Sequence, residues 1–455
     1  MSTLRPQPAP PPEPARGGER GFARALLRTA ELDPGDGRRV LLAALWSCCL
    51  LTTNYTLRPL RDAMAVSGGV DQLHWMFTAT FVAVLVAVPV YGLAVARLDR
   101  ARLGALVHRS FALNLIVFFA LMRGWLGDTP ALELWTARVF FVWTSVFNLL
   151  VISLFWSVMS DLFSGGEARR TFGVIALGGS VGALLGPALG GSLALSVGPA
   201  WLTLVGAALL EIGRWSMAKL AAEPRPDSPE ARGTEGKVES PPADDGPIGG
   251  SPLAGLAEVL RSPRLMALCA YVLLMTAAST VLYCVQARLV VLNFTDEATR
   301  TAAFAAVDLA TNALTVTAQG LLTGRLIRRL GLRWTLAVLP LACLAGFVAL
   351  ALGPTLTVAF TVQAGRRCLN YAFARPGREV LYTSVERSPR YKAKSFIDTV
   401  VYRGGDALSG WAFAGLEGAG LQLATVAAIT APVCGIWALI AWRLGAAVDE
   451  SATRG

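Results

Sequence analysis

Twelve apolar stretches of about twenty residues, set out as six, a break and six more, leave this chain very few folds. They run at roughly 40–64, 73–96, 103–123, 133–160, 171–197 and 200–220, then at roughly 265–290, 301–323, 334–352, 355–383, 396–416 and 420–443. As an α-helix, each is long enough to cross a hydrocarbon core of ~30 Å. Inside that core every backbone N–H and C=O must find its partner within the helix or a closed barrel. These runs are too long and too weakly alternating for barrel strands, so the expected fold is an all-α membrane protein with twelve transmembrane helices in two six-helix bundles. Composition agrees, because 54% hydrophobic and 16% charged residues in 455 make a chain too apolar for a soluble domain.

The break between the two sets is "EPRPDSPEARGTEGKVESPPADDGPIGGSP", Glu223 to Pro252. It is rich in Pro, Gly and charge and lacks the apolar content to fold alone. The expected organisation is a disordered, basic cytoplasmic N-terminus at 1–39, an N-terminal bundle at 40–222, a cytoplasmic linker at 223–262, a C-terminal bundle at 263–445 and a cytoplasmic tail at 446–455. "FARALLRTAEL", Phe22 to Leu32, has the pattern of a short basic surface helix. No signal peptide is expected, since the first long apolar run begins near Val40 and lacks a short h-region with a cleavage site.

The formal charge of +10 is carried by one set of loops. Arg97, Arg100, Arg102, Arg169, Arg170, Arg325, Arg328, Arg329, Arg333, Arg387, Arg390, Lys392 and Lys394 all fall on the side of the N-terminus. The loops on the other side, such as "GDTP" at 127–130, "VGPA" at 197–200 and "LGPT" at 352–355, are nearly free of Lys and Arg. The asymmetry predicts both termini in the cytoplasm and accounts for the basic surplus, so no nucleic-acid partner is expected.

Enzymatic motifs fail on inspection. "GGSVG", Gly178 to Gly182, matches the G-x-S-x-G elbow in letters, but both histidines, His74 and His108, precede it, whereas the elbow needs one downstream. The same glycines lack the Lys-Ser/Thr ending of a phosphate loop. Close helix packing is the better reading, because Gly lets backbones approach. The seven cysteines show no metal-ligand spacing and read as small buried hydrophobes. No enzyme activity and no cofactor are expected.

The charges inside the spans carry the functional signal, since an ionisable residue at mid-bilayer costs ~2.5–3.5 kcal/mol or more and usually faces a cavity. On helix one, Asn54, Arg58, Arg61 and Asp62 share a face at i, i+4, i+7 and i+8. Helix eight repeats the pattern with Asp308, Asn312, Thr315 and Gln319, and helix ten with Gln363, Arg367, Asn370 and Arg378. Arg366 adjoins Arg367, and helical geometry predicts that only one of them faces the cavity. Cations outnumber anions: Arg58, Arg61, Arg366, Arg367, Arg378 and Arg403 stand against Asp62, Asp308, Glu379, Asp398 and Asp406. Two uses are open for each charge, namely binding an anionic solute through the arginine fork or locking helices through pairs such as Arg61 with Asp62 and Arg403 with Asp406.

"GALLGPALGG", Gly182 to Gly191, resembles the glycine-proline signature of helix five in antiporters of the major facilitator superfamily, with Gly182, Gly186, Pro187, Gly190 and Gly191 in register. "GLAVARLDRARLG", from Gly92, is similar to that superfamily's gating loop. Four further segments resemble the ATP/ADP translocases of plastids and intracellular bacteria: "NYTLRPLRDAMAV" with Arg58 and Arg61; "FWSVMSDLFSGGEARRTFG" with Glu167, Arg169 and Arg170; "RPGREVLY" with Arg378; and "KAKSFIDTVVYRGGD" with Lys392, Lys394, Asp398 and Arg403. Arg61 and Arg378 stand where that family keeps lysines, and Asp406 where it tends to have one.

The resemblance implies the major facilitator fold in a bacterial inner membrane and a small anionic solute moved by alternating access, with nucleotide exchange as the narrower case. The expected solute contacts are Asn54, Arg58, Arg61, Asp308, Asn312, Arg367, Asn370, Arg378 and Arg403, with Arg58, Arg61 and Arg378 clasping the anion. Gating and structural roles are expected for Asp62, Gly182, Gly186, Pro187, Gly190, Gly191, Lys394, Asp398 and Asp406. Competing readings are a proton-coupled exporter of an unrelated organic solute and a non-transporting receptor or assembly protein. Expected partners are the solute and the bilayer. No oligomeric state follows from the sequence, and a monomer suffices.

Overall fold

The computed structural model describes residues 37–163, 165–223, 254–383 and 393–454, and no strand occurs among them. Expectations placed on residues 1–36, on 224–253 and on Arg387, Arg390 and Lys392 lie outside the described residues. So do the side chains of Glu167, Arg169, Arg170, Arg325 and Arg328.

Twelve helical rods make up most of the described chain. In the first half they are α1 (Gly37–Ser67), α2 (Leu73–Arg97), α3 (Arg100–Met122), α4 (Pro130–Leu162), α5 (Gly165–Ser196) and α6 (Trp201–Ala222). In the second half they are α7 (Pro263–Asn293), α8 (Glu297–Ala318), α9 (Gly324–Leu352), α10 (Leu356–Leu369, continuing through a π-helical turn, Asn370–Ala374, into Arg375–Thr383), α11 (Tyr402–Gly418, entered through a π-helical turn, Ile397–Val401) and α12 (Leu423–Arg454).

Local chemistry sets several starts. Thr129 and Ser262 cap α4 and α7 by accepting from the backbone N–H three residues on, and Pro130 and Pro263 then occupy the first turn, where no N–H is needed. Thr355 caps α10 in the same way. Asp296 caps α8, and its bonds from the Thr299 hydroxyl (2.6 Å) and N–H (2.8 Å) hold this carboxyl below the usual carboxylate range.

Nine helices among the described residues are long and apolar enough to cross a membrane by length and composition alone. The other three rods depart for visible reasons. α6 carries a Glu211–Arg214 pair at 2.7 Å, α10 is divided by its π turn and holds four arginines, and α11 has 17 residues after its own π turn.

Each half has its own apolar core. Trp46, Leu57, Phe140, Phe147 and Leu210 are fully buried in the first half, and Tyr271, Leu336, Phe347 and Trp437 in the second. Phe77 and Phe141 of the first half join the second core across the seam. α1 lies along α5 and α6, α9 lies along α12, and the halves meet where α5 packs on α8 and α2 on α11.

Two boundaries differ from expectation. A short helix, Ala254–Arg261, lies inside the stretch read as linker. Residues 446–454, read as a tail, continue α12, because Asp449 is held there by Leu332 N–H (3.0 Å) and Arg333 N–H (3.2 Å) at a break in α9. That break needs Gly331, whose φ is 74° and whose added Cβ would meet the Asp449 carboxylate at 2.9 Å.

Candidate functional site

α1 supplies one wall of a cavity between the halves. Its Asn54, Arg58, Arg61 and Asp62 all line a chamber of about 230 Å³, as the 3.6-residue stripe predicts. α5 fixes α1 in place. At Gly178, Gly182 and Gly186 an added Cβ would collide with the Ala44 carbonyl, the Cys48 carbonyl and Tyr55 Cβ, so the α1 and α5 backbones touch and no side chain intervenes. Gly190 lies looser against Thr56, and Gly191 faces Ala305 of α8 at 3.3 Å. Gly178, read from the sequence within a closely packed glycine stretch, belongs to this stripe as much as Gly182 and Gly186.

Pro187 adds a second device. It has no N–H for the Ala183 carbonyl four residues back, and Asn312 of α8 donates its Nδ2–H to that oxygen at 2.5 Å. Asn312, expected as a solute contact, therefore ties the halves together while also lining the site.

The opposite walls come from α7, α8, α10 and α11. Gln363, Arg366, Arg367 and Tyr371 of α10 face the chamber, with Asp308 of α8, Thr280 and Tyr283 of α7, and Tyr402, Arg403 and Asp406 of α11. Both adjacent arginines reach it, contrary to the expectation of one, because two long guanidinium arms set 100° apart converge on the same space.

Below Arg367 the stripe expected from the sequence fails. The π turn Asn370–Ala374 takes in one extra residue, so after Gln363 and Arg367 the inward positions become Tyr371 and Arg375 instead of Asn370 and Arg378. Asn370 and Arg378 line neither chamber, and the expected clasp of Arg58, Arg61 and Arg378 is not formed. Arg378 sits instead with Lys394, Asp398 and Glu379 in a separate charged cluster, where Lys394 pairs with Glu379 at 2.6 Å and lies over the Tyr382 ring.

A second chamber of about 610 Å³ shares Asn54, Arg58, Asn148 and Tyr371 with the first. It is lined by Leu50, Ile152, Phe155 and Trp156 on one side and by Asn312, Gln319 and Arg375 on the other. Trp156, Ala176, Gln319 and Arg375 on its wall are exposed, so it opens toward the face where α1 begins.

The opposite face is closed. Arg288 of α7 donates Nε–H and Nη2–H to Glu417 (2.7 and 2.6 Å) and also pairs with Asp71 of the first half at 2.6 Å. Trp411 bonds Thr78 at 3.1 Å and packs on His74, with ring centroids 4.3 Å apart.

The charges are partly paired. Arg367 donates to Asp308, and Arg58 Nε lies 3.8 Å from the other Asp308 oxygen. Arg61 reaches Asp62 at 3.4 Å and stacks over Phe141 at 4.0 Å, while the Tyr283 hydroxyl donates to Asp62 at 3.1 Å. Arg403 pairs with Asp406 at 3.6 Å, and Thr280 donates to Asp406 at 2.8 Å. Both helix-locking pairs considered from the sequence are therefore present. Arg366 bonds only Gln363, at 3.2 Å, and has no carboxylate partner among the described residues. Five guanidiniums face three carboxylates in the first chamber, so its field is positive. Sequence reasoning missed Tyr283, Gln286, Tyr371 and Tyr402, since a lone Tyr or Gln in an apolar span has no pattern that marks it.

The Major Facilitator Superfamily model matches residues 40–369. The chain belongs to that superfamily. Solved structures agree at the level of fold. The nucleoside transporter NupG superposes with a TM-score of 0.61 at 16% identity, over 90% of this chain and 99% of its own. A bacterial homologue of the iron transporter ferroportin gives 0.61 at 14%, over 92% and 99%. A POT family transporter in complex with 5-aminolevulinic acid gives 0.60 at 10%, over 90% and 96%. No curated protein matches the sequence. The superfamily and these neighbours make the chain a multi-pass membrane transporter.

Proposed function

We propose that this transporter moves a small anionic solute with a flat or apolar part, a nucleotide or similar phosphorylated compound, by alternating access between the two halves. The observation that carries the reading is the excess of arginine over carboxylate in the first chamber, and above all Arg366, whose fork has no carboxylate to neutralise it among the described residues. The aromatic and aliphatic wall of the adjoining chamber suits a base or other apolar moiety beside the anionic group. The four segments similar to ATP/ADP translocases favour the same class. So does the likeness to NupG, a transporter of nucleosides, which lack only the phosphate.

Exchange of one solute against another, or against an ion, drives the cycle. The Arg288 bridge and the Trp411 contacts part on one side as the chamber closes on the other. The arginine-rich loops support an orientation with both termini in the cytoplasm of a bacterial cell, which makes this an inward-open form.

Counterflow in proteoliposomes loaded with nucleotides, organic phosphates or neutral nucleosides tests the reading. Anionic solutes should exchange and neutral nucleosides should not. Arg366→Ala should raise the half-saturating concentration about tenfold to hundredfold, the range expected for losing a charged hydrogen bond. Exchange of neutral solutes alone, unaffected by Arg366→Ala, would remove the anionic reading.

A further inference from the structure

On the membrane-facing side of the first half, near the closed face, α2 and α4 leave a groove of about 620 Å³. α2 contributes Trp75, Met76 and Ala79, one helical face, and α4 contributes Trp135, Val139 and Trp143, another. Trp75 and Trp135 are 55% and 59% exposed, on helices apolar enough to span a bilayer, so this surface faces lipid. Its polar end is Arg138. The Arg138 Nε–H donates to the Gly68 carbonyl at 2.9 Å, and the guanidinium lies 5.3 Å from the centre of the Trp135 ring. Among the described residues it has no carboxylate partner, and its two terminal nitrogens make no hydrogen bond. The groove begins at the first turn of α2 and the second turn of α4, the depth at which headgroups lie and tryptophans collect.

We propose that this groove is a binding site for one anionic phospholipid, whose phosphate is held by the free nitrogens of Arg138 and whose acyl chains lie along the Trp75, Trp135 and Trp143 rings. A planar fork fixed at one nitrogen by a backbone carbonyl presents the other two as a pair, the geometry that binds phosphate oxygens bidentately. A neutral lipid would satisfy the apolar walls but leave that charge without a counterion. The site is separate from the transport cavity. It touches the turn at Gly68 and Gly69 that carries Asp71 into the closed gate, and Gly69 adopts a φ of 98° there.

Tryptophan quenching by brominated lipids tests it on the purified full chain in nanodiscs. Brominated phosphatidylglycerol should half-quench at about fivefold lower mole fraction than brominated phosphatidylcholine, the advantage one basic side chain gives at an anionic surface. Arg138→Gln should bring the two lipids together, and Trp135→Phe should remove part of the quenching. Should Arg138→Gln misfold through loss of the Gly68 bond, Ala79→Phe fills the groove with Arg138 intact and should also abolish the preference. Equal quenching by both lipids in the unsubstituted protein, or a preference that survives either Arg138→Gln or Ala79→Phe, overturns the proposal. So does a groove-dependent dimer, which would assign this face to a second copy of the chain.

Discussion

α1 brings Arg58 and Arg61 to the cavity on a helix clamped backbone to backbone against α5, whereas α10 brings Arg366, Arg367 and Tyr371 on a helix that changes pitch part-way. The first arrangement leaves no slack, because the glycines at 178, 182 and 186 have no side chain that could yield. The second joins α-helix to π-helix inside the site, where a π turn commonly marks a functional position. One half thus offers a rigid cationic post and the other a set of groups whose register is set by a single turn. The neighbouring arginines of α10 differ as well, since Arg367 is bound to Asp308 and Arg366 has no carboxylate among the described residues.

The largest expected effect separates those two arginines. Asp308 is 2% exposed, and Arg367→Ala leaves it with only Arg58, at 3.8 Å. Removing one member of a buried pair costs about 3–5 kcal/mol, so Arg367→Ala should strip most of the stability measured by thermal unfolding in detergent. The double change with Asp308→Asn should recover much of it. Arg366→Ala should cost about 1 kcal/mol or less, because it loses only the Gln363 bond. If both single variants unfold alike, Arg366 is structural and the division of labour on α10 is wrong.

The rigid side is tested at α5. An added methyl at Gly186 would sit 2.6 Å from Tyr55 Cβ and 2.8 Å from the Thr52 carbonyl, whereas at Gly190 it would meet Thr56 at 3.4 Å. Overpacking of the first kind costs about 1–3 kcal/mol, so Gly186→Ala should lower the melting temperature and slow counterflow with little change in half-saturation. Gly190→Ala should be near neutral. Equal behaviour of the two would mean that α1 and α5 separate during the cycle and that the contact is not a fixed post.

The twelve spans, the helical fold and the α1 stripe were legible because each rests on a period that the structure keeps: length against bilayer thickness, and 3.6 residues per turn. Gly182 and Gly186 were legible for a different reason, since repeated Gly at four-residue spacing has few other uses in a membrane helix. α10 was legible only down to Arg367. Nothing in "NYAFA" announces a π turn, and past it every inward position moves by one. The paired state of Arg61 and Arg403 was open as well, since neighbours at i+1 and i+3 can bind each other or a solute, and only their surroundings decide.

The smallest expected effect bears on that one-residue shift. Were α10 an unbroken α-helix, Asn370 would continue the stripe of Gln363 and Arg367 into the cavity. With the π turn, Tyr371 lines both chambers and Asn370 lines neither. Tyr371→Phe removes one hydroxyl and keeps the ring, so it should shift the half-saturating concentration by about twofold to tenfold, the span for one neutral hydrogen bond. Asn370→Ala should leave half-saturation unchanged; its buried Oδ1 has no partner among the described residues, so stability should hold as well. Counterflow titrations on the two variants side by side decide the register. The reverse order, with Asn370→Ala the more damaging for affinity, would mean that the working transporter carries α10 as a regular helix when solute binds.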